Sequence, residues 1–279
     1  MSEHMLDYER AAAVVRQRVD LPTEIGLVLG SGLGGLADLL EGRTVIPYAD
    51  LPGWPRSTVH GHQGQLVIGK LEGKAVIAQQ GRAHFYEGYT LQQVTFPIRV
   101  MHQLGVKTLI LTNAAGGLNP NYRVGDLMVL NDHINLVGMT GNNPLMGPND
   151  DAVGPRFLGM VHTYDADLRR LARHAADEAG VPLHEGVYVC LSGPNFETPA
   201  EVRMLRGLGG DAVGMSTVHE VLVARHAGMR VMACSGITNV SIDTLDADAE
   251  TNHEEVLDAG KVLVPRLTAV VRGVLRALP

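Results

Sequence analysis

The fold class follows from the apolar run Ile25-Gly26-Leu27-Val28-Leu29 and the loop directly after it, Gly30-Ser31-Gly32-Leu33-Gly34-Gly35. A strand with one wet face would alternate apolar and polar residues, so a continuous apolar run predicts a strand that is covered on both faces. The glycines after it allow backbone amides to approach a ligand closely. We therefore expect a buried strand that leads into a binding loop.

Near-continuous apolar runs of strand length recur along the chain. They occupy residues 66–68, 75–78, 108–111, 127–130, 187–191 and 231–233. Helical patterns lie between or beside them, at residues 6–19, 92–104, 166–179, 199–208, 217–227 and 254–278. Pro97 should start or kink its helix, and Pro265 should break the last one. This alternation predicts a mainly parallel α/β sheet in one domain spanning residues 1–279.

The composition limits the classes of function. The chain has 279 residues, 45% hydrophobic and 19% charged, which suffices for a sizeable core and excludes global disorder. Its net charge of −7 means that it lacks the excess of positive charge that proteins use to bind nucleic-acid phosphates. Cys190 and Cys234 lie in apolar runs and predict buried thiols rather than a disulfide framework. The N-terminus lacks a signal-peptide pattern and no apolar stretch suits a membrane span, so we expect a soluble, cytoplasmic protein.

The glycine-rich loop is open to several interpretations. It matches G-x-G-x-x-G, but dinucleotide binding also needs an acidic residue at the end of a second strand. The candidate, Asp50, lies in a turn-rich stretch, and the Gly-Lys-Ser/Thr of a P-loop is missing. A plain tight turn is a further alternative. Inorganic phosphate or another small anion is the ligand that we favour.

Motifs for metal binding or a serine nucleophile are incomplete. His60-Gly61-His62 together with His84 suggests zinc, but there is no cysteine pair. His219-Glu220 and His253-Glu254 both lack the second histidine of H-E-x-x-H. The stretch Gly214–Ser216 lacks the second glycine of a nucleophile elbow. We therefore expect no metal site.

Polar segments follow four of these apolar runs and the shorter pair Ala212-Val213, at the positions where open α/β sheets bind their ligands. They are residues 81–88, 112–117, 192–198, 214–217 and 237–239. Any one of them is compatible with a turn or a helix cap. Five such segments together with the glycine loop predict one shared pocket. The irregular segment 136–163 is long enough to be functional or to lie at an interface.

These segments together closely resemble the trimeric, 6-oxopurine-specific purine nucleoside phosphorylases, from about residue 24 onward. The matching stretches are Gly30–Gly34, Gly81–Tyr89, Thr112–Asn119, Asp132–Asn135, Gly193–Thr198, Asp211–Thr217 and Asn252–Val256. The resemblance implies one α/β domain with a central mixed, largely parallel β-sheet flanked by helices. It also implies reversible phosphorolysis of inosine, guanosine and their deoxy forms to free base and (deoxy)ribose 1-phosphate, in purine salvage.

The resemblance also assigns roles to residues. The phosphate site comprises Ser31, His62 as a gate, Arg82, His84, the Ala114 amide and Ser216. The nucleoside contacts are Tyr86, Met215 and His253 at ribose and Phe196, Glu197, Thr238 and Asn239 at the base. The catalytic residues are His84, Glu197 and Asn239. Phe157 from a neighbouring subunit closes the ribose site of a homotrimer, although a core aromatic is the alternative. Phosphate is a co-substrate, and no cofactor is expected.

Two departures from the family pattern and three rival functions remain. His219 stands where the family has proline, and the segment 240–252 before His253 is a candidate lid of undetermined conformation. A methylthioadenosine phosphorylase would have Asp at position 239 and a small residue at position 253. An NAD-dependent oxidoreductase would use the glycine loop. A non-catalytic nucleoside-binding protein is disfavoured by the retained phosphate residues.

Overall fold

The computed structural model describes residues 3–30, 33–59, 63–245 and 252–279, and for residues 3–6 and 253 the backbone alone. Nine strands in these ranges form one sheet. They are β1 (Ile25–Leu29), β2 (Glu41–Pro47), β3 (Gln65–Leu71), β4 (Lys74–Gln80), β5 (Thr108–Gly117), β6 (Leu127–Asn135), β7 (Leu183–Cys190), β8 (Ala212–Gly214) and β9 (Arg230–Val240).

The sheet is mixed, as the family resemblance implies. Its strand order is β2-β3-β4-β1-β5-β8-β7-β6-β9, and β9 also pairs with β5, so that the last five strands close into a ring. The pairs β1–β4, β1–β5, β5–β9, β6–β7 and β7–β8 are parallel. The pairs β2–β3, β3–β4, β5–β8 and β6–β9 are antiparallel.

Helices cover the sheet on both faces. They are α1 (Glu3–Arg18), α2 (Leu91–Val94), α3 (Phe96–Gln103), α4 (Leu136–Met139), α5 (Ala166–Ala179), α6 (Pro199–Gly207), α7 (Val218–His226) and α8 (His253–Ala277). Val28 of β1 packs into a core shared with α1, α3 and α7. Its neighbours Leu27 and Leu29 pack into a second core shared with α5 and α8. This two-sided burial explains why β1 is continuously apolar.

Three details differ from the sequence-based expectation. α8 runs through Pro265 without a break, because Leu263 and Leu267 are fully buried while Pro265 lies on the exposed face, where water can reach the freed carbonyl. The glycine loop leads into a six-residue 3₁₀ helix, Gly34–Leu39, and not into the α-helix that the G-x-G-x-x-G pattern typically opens. The strand β2 escaped prediction because it lies at an edge of the sheet and most of its residues are exposed, so it lacks the continuous apolar run of a covered strand.

Candidate active site

The carboxyl ends of β4, β5 and β9 and the segments after β7 and β8 surround one cavity of about 360 Å³. Ten of the predicted site residues line it. They are Arg82, His84, Tyr86, Ala114, Phe196, Glu197, Met215, Ser216, Thr238 and Asn239. The shared pocket predicted from the ends of the apolar runs is therefore present.

The other four predicted residues are not part of the cavity wall as described. Ser31 and His62 lie outside the described residues. His253 begins α8, one turn before the cavity-lining Val256, and its side chain lies outside the description. Phe157 is 90% exposed, so the alternative of a core aromatic is wrong.

Arg82 anchors one end of the cavity. It follows β4 and is only 2% exposed. Its Nη1 donates to Ser216 Oγ at 2.8 Å and to Thr217 Oγ1 at 3.2 Å, and its Nη2 lies 3.3 Å from the Glu220 carboxylate. A lone buried guanidinium would be costly, and the equally buried Glu220 balances its charge. Burial raises the pKa of Glu220 and Arg82 opposes that shift.

His84 is held by a carboxylate. Glu87 Oε1 accepts from the His84 backbone N–H at 2.6 Å and lies 3.0 Å from its Nδ1, while Glu87 Oε2 accepts from the N–H and the hydroxyl of Thr58. Burial alone would raise the pKa of Glu87, but these bonds lower it to about 2. Because Glu87 is anionic, the His84 Nδ1 carries hydrogen. Burial lowers the pKa of His84, so its Nε2 can accept a hydrogen bond at neutral pH.

Asn239 and Glu197 provide polar groups at the other end of the cavity. The Thr238 hydroxyl lies 3.1 Å from Asn239 Oδ1 and 3.3 Å from the Ala115 carbonyl, and these two acceptors share its single hydrogen. With its oxygen engaged, Asn239 offers the Nδ2 hydrogens to the cavity. Burial raises the pKa of Glu197. The neighbouring Phe196 supplies a half-exposed aromatic face.

Two glycines allow this arrangement. Gly193 has φ +66°, and a Cβ there would lie 2.2 Å from the Met215 sulfur. A Cβ on Gly116 would lie 2.9 Å from Ser241 Oγ and 3.3 Å from Asn239 Nδ2. A side chain at Gly193 would be strained by the positive φ as well as by Met215, and a side chain at Gly116 would displace Ser241 or Asn239. The quoted motifs therefore need glycine at these positions for packing around the site.

Several residues that shape the site were missed at the sequence level. Glu87 lies three residues after His84, and Glu220 lies four residues after Ser216, so spacing alone offered a signal for both. Asn113 and Val59 also line the cavity. Asn113 sits inside a quoted motif but its role depends on a partner 104 residues away. Val59 carried no signal.

The alternative interpretations would each need a feature of their own. Among the residues that the structure describes, no group of three or more His, Cys, Asp and Glu side chains is placed to hold a metal ion. Asp50, the acid that dinucleotide binding would require, instead pairs with Arg18 of α1 at 2.8 Å on the surface. No helix in the described part of the chain has the length and apolarity needed to cross a membrane.

Comparison with known proteins places the chain in a family. The model of the phosphorylase superfamily matches residues 24–276. Purine nucleoside phosphorylase 1 of Bacillus subtilis (strain 168) is 52% identical over 266 residues, covering 95% of this chain and 96% of that protein. Purine nucleoside phosphorylase of Mus musculus is 50% identical over 275 residues, covering 98% and 95%.

Solved structures agree. Schistosoma mansoni purine nucleoside phosphorylase in complex with inosine superposes with a TM-score of 0.94 at 43% identity, covering 99% of this chain and 97% of that one. A Schistosoma mansoni purine nucleoside phosphorylase in complex with adenosine gives a TM-score of 0.95 at 44% identity, covering 99% of this chain and 98% of that one. The chain belongs to the phosphorylase superfamily and, within it, to the purine nucleoside phosphorylases.

Proposed function

We propose that this enzyme catalyses the reversible phosphorolysis of 6-oxopurine ribonucleosides and deoxyribonucleosides, in purine salvage. The products are the free base and ribose or deoxyribose 1-phosphate. One observation carries the proposal: the buried fork of Arg82 and the amide of Asn239 line the same cavity. The cavity thus offers an anion site and a purine-recognition site to one bound nucleoside. The related phosphorylases of about 50% identity support this reaction.

The anion end suits phosphate without a metal. Arg82 supplies charge-assisted donors, and Ser216 and the Ala114 backbone add neutral groups that line the cavity. His84 can accept the hydrogen of the monohydrogen phosphate dianion through Nε2. Ser31 and His62 complete this end in the proposal, with His62 as the gate.

The chemistry needs no covalent enzyme intermediate. A phosphate oxygen attacks C1′ of the sugar while the C1′–N9 bond breaks and the purine departs with the bonding electrons. Positive charge develops on the sugar and negative charge on the purine, at N7 and O6. The donor Nδ2 of Asn239 stabilises that charge where it appears, which is the effective form of electrostatic catalysis. Tyr86, Met215 and His253 hold the ribose, and Phe196 stacks on the base.

Base selectivity follows from Glu197 and Asn239. A 6-oxopurine has N1–H as donor and N7 as acceptor, which suits an ionised Glu197 and the Asn239 amide. Adenosine presents a bare N1, which would face the carboxylate. The Schistosoma enzyme was crystallised with adenosine as well as with inosine and guanosine, so the proposed selectivity concerns turnover and not occupancy. A methylthioadenosine phosphorylase is disfavoured because Asn239 and His253 stand where that branch differs.

A homotrimer is part of the proposal. Segment 136–163 exposes Met139, Met146, Phe157 and Val161, with between 59% and 91% of each side chain accessible. Exposed apolar groups gathered in one segment are typical of protein contact surfaces. Phe157 of one copy would close the ribose site of the next. We further propose that the enzyme is cytoplasmic and uses no metal or cofactor besides its co-substrate phosphate.

The test is phosphate-dependent release of hypoxanthine from inosine in the presence of a chelator. Methylthioadenosine and NAD with a hydroxy substrate serve as control reactions. We expect hypoxanthine to be released only when phosphate is present, and the chelator should not stop the reaction. Activity abolished by EDTA and restored by zinc would refute the metal-free proposal, and faster cleavage of methylthioadenosine would favour the other phosphorylase branch.

A further inference from the structure

The residue before α7 has an unusual backbone. Thr217 has φ 70° and ψ −54°, and the Val218 N–H donates to the Ser216 carbonyl across it at 2.7 Å. This is the strained form of the γ-turn, which a β-branched residue seldom adopts. Such strain persists only where the surroundings enforce it, and it clusters at ligand sites.

Thr217 also does not cap the helix that follows it with its side chain. A threonine at the start of a helix normally accepts an N–H from the first turn, but Thr217 makes no such bond. Its Oγ1 lies 3.0 Å from Asn113 Nδ2, 3.2 Å from Arg82 Nη1 and 3.1 Å from Ser216 Oγ. The strained turn therefore directs this buried hydroxyl toward the cavity wall and away from the helix.

The numbers of hydrogens and lone pairs on these groups determine which atom donates in each hydrogen bond. A hydroxyl has one hydrogen and two lone pairs, whereas the amide nitrogen of Asn113 and the guanidinium of Arg82 only donate. Both lone pairs of Thr217 Oγ1 are thus taken, and its hydrogen goes to Ser216 Oγ. Ser216 Oγ also accepts from Arg82 at 2.8 Å, so its lone pairs are taken too. Its own hydrogen is the one that Ser216 Oγ still has to donate, either into the cavity that it lines or to the neighbouring Tyr188 hydroxyl.

We propose that Asn113 and Thr217 are positioning residues that hold the Ser216 hydroxyl as a hydrogen-bond donor toward phosphate. This inference rests on the proposed function, in which Ser216 binds phosphate. Bonds that run in one direction from Asn113 through Thr217 to Ser216 polarise one another and strengthen the last donor. The opposite direction would present a lone pair of Ser216 to the phosphate dianion and repel it.

The test compares four single variants in steady-state kinetics with inosine and phosphate varied in turn. Thr217→Val keeps the shape and removes the hydroxyl, and Thr217→Ser restores it. Thr95→Val is the matched control, because Thr95 is fully buried and its hydroxyl donates to the Leu91 carbonyl outside the cavity. Ser216→Ala tests the proposed phosphate role itself, and thermal melting reports folding in each case.

We expect Thr217→Val to raise the KM for phosphate about tenfold or more, because the Ser216 hydroxyl is no longer held as a donor to the charged phosphate. The KM for inosine should change little. Thr217→Ser and Thr95→Val should behave like the parent enzyme. The double variant Ser216→Ala/Thr217→Val should be within roughly twofold of Ser216→Ala, because Thr217 acts through Ser216. Should Thr217→Val not fold, Asn113→Leu interrupts the same bonds from their far end and should raise the phosphate KM selectively.

An unchanged or lower phosphate KM in Thr217→Val would overturn the inference, as would equal loss for both substrates or full additivity in the double variant. If Ser216→Ala raises the phosphate KM while Thr217→Val does not, the positioning role fails and the proposed function stands. If Ser216→Ala has no effect either, the phosphate role of Ser216 fails, and the positioning role fails with it.

Discussion

Replacing Asn239 by aspartate tests the base-recognition end of the site with a change of one atom. Asn239 is 8% exposed, and the Thr238 hydroxyl engages its Oδ1 at 3.1 Å. Nδ2 is therefore the atom that becomes oxygen on the cavity side. In Asn239→Asp that oxygen would face purine N7, which is also an acceptor. With adenosine, the exocyclic amine beside N7 can donate to the same oxygen.

The magnitude follows from the cost of an unmade buried hydrogen bond. Leaving one buried acceptor against another costs about 1–3 kcal/mol, which corresponds to roughly 5- to 150-fold in kcat/KM. We expect kcat/KM for inosine to fall within that range. The ratio of adenosine to inosine turnover should rise by about tenfold or more, because one substrate loses a bond and the other gains one.

The assay is chromatographic measurement of hypoxanthine and adenine released at saturating phosphate. Asn121→Asp is the control, since it adds the same charge at an exposed position outside the cavity. An unchanged adenosine-to-inosine ratio in Asn239→Asp would refute the assignment of Asn239 to N7. Parent enzyme that cleaves adenosine as fast as inosine would refute the roles of both Glu197 and Asn239.

Three further predictions concern the anion end, the pH range and the assembly. Arg82→Ala should raise the phosphate KM at least about tenfold, because charge-assisted donors are lost; an unchanged KM at saturating inosine would contradict this. Burial lowers the pKa of His219 from 6.5 to about 4. As the pH falls from 6.5 to about 4, the unfolded chain is therefore protonated at His219 while the folded chain is not, and the folded state loses stability. One such proton makes the unfolding free energy change with pH by at most about 1.4 kcal/mol per pH unit, and His219→Gln should reduce that dependence in denaturant titrations at several pH values. The same dependence on pH in parent and variant would count against this prediction. Light scattering should give three times the mass of one chain, and Phe157→Ala should raise the nucleoside KM; a fully active monomer would be incompatible with the shared site.

The sequence predicted the residues that line the site better than the contacts that hold them in place. The polar segments after the apolar runs converge as expected, because the carboxyl ends of neighbouring parallel strands meet at one edge of the sheet. The ion pair of Arg82 with Glu220 and the bond between Asn113 and Thr217 were not predicted. Both join residues more than 100 positions apart, and only the closure of the sheet brings them together.

The departures in secondary structure have a similar origin. The break expected at Pro265 is wrong and the exposed edge strand β2 was not predicted, because local propensity gives way to packing and sheet pairing, which a single sequence does not display. His219 is a different case, since its departure from the family pattern was visible. Its structural consequence, a buried neutral imidazole beside Cys190, depends on contacts between distant residues that the sequence does not display.

The central claim is that phosphate, not water, takes the sugar from a 6-oxopurine nucleoside in this cavity. Phosphorus NMR of the enzyme with inosine and phosphate, read beside chromatographic hypoxanthine, measures this most directly. The account predicts that a sugar 1-phosphate signal grows in equal amount with hypoxanthine and that neither forms without phosphate. Hypoxanthine released together with free ribose, at a rate independent of phosphate, would contradict it.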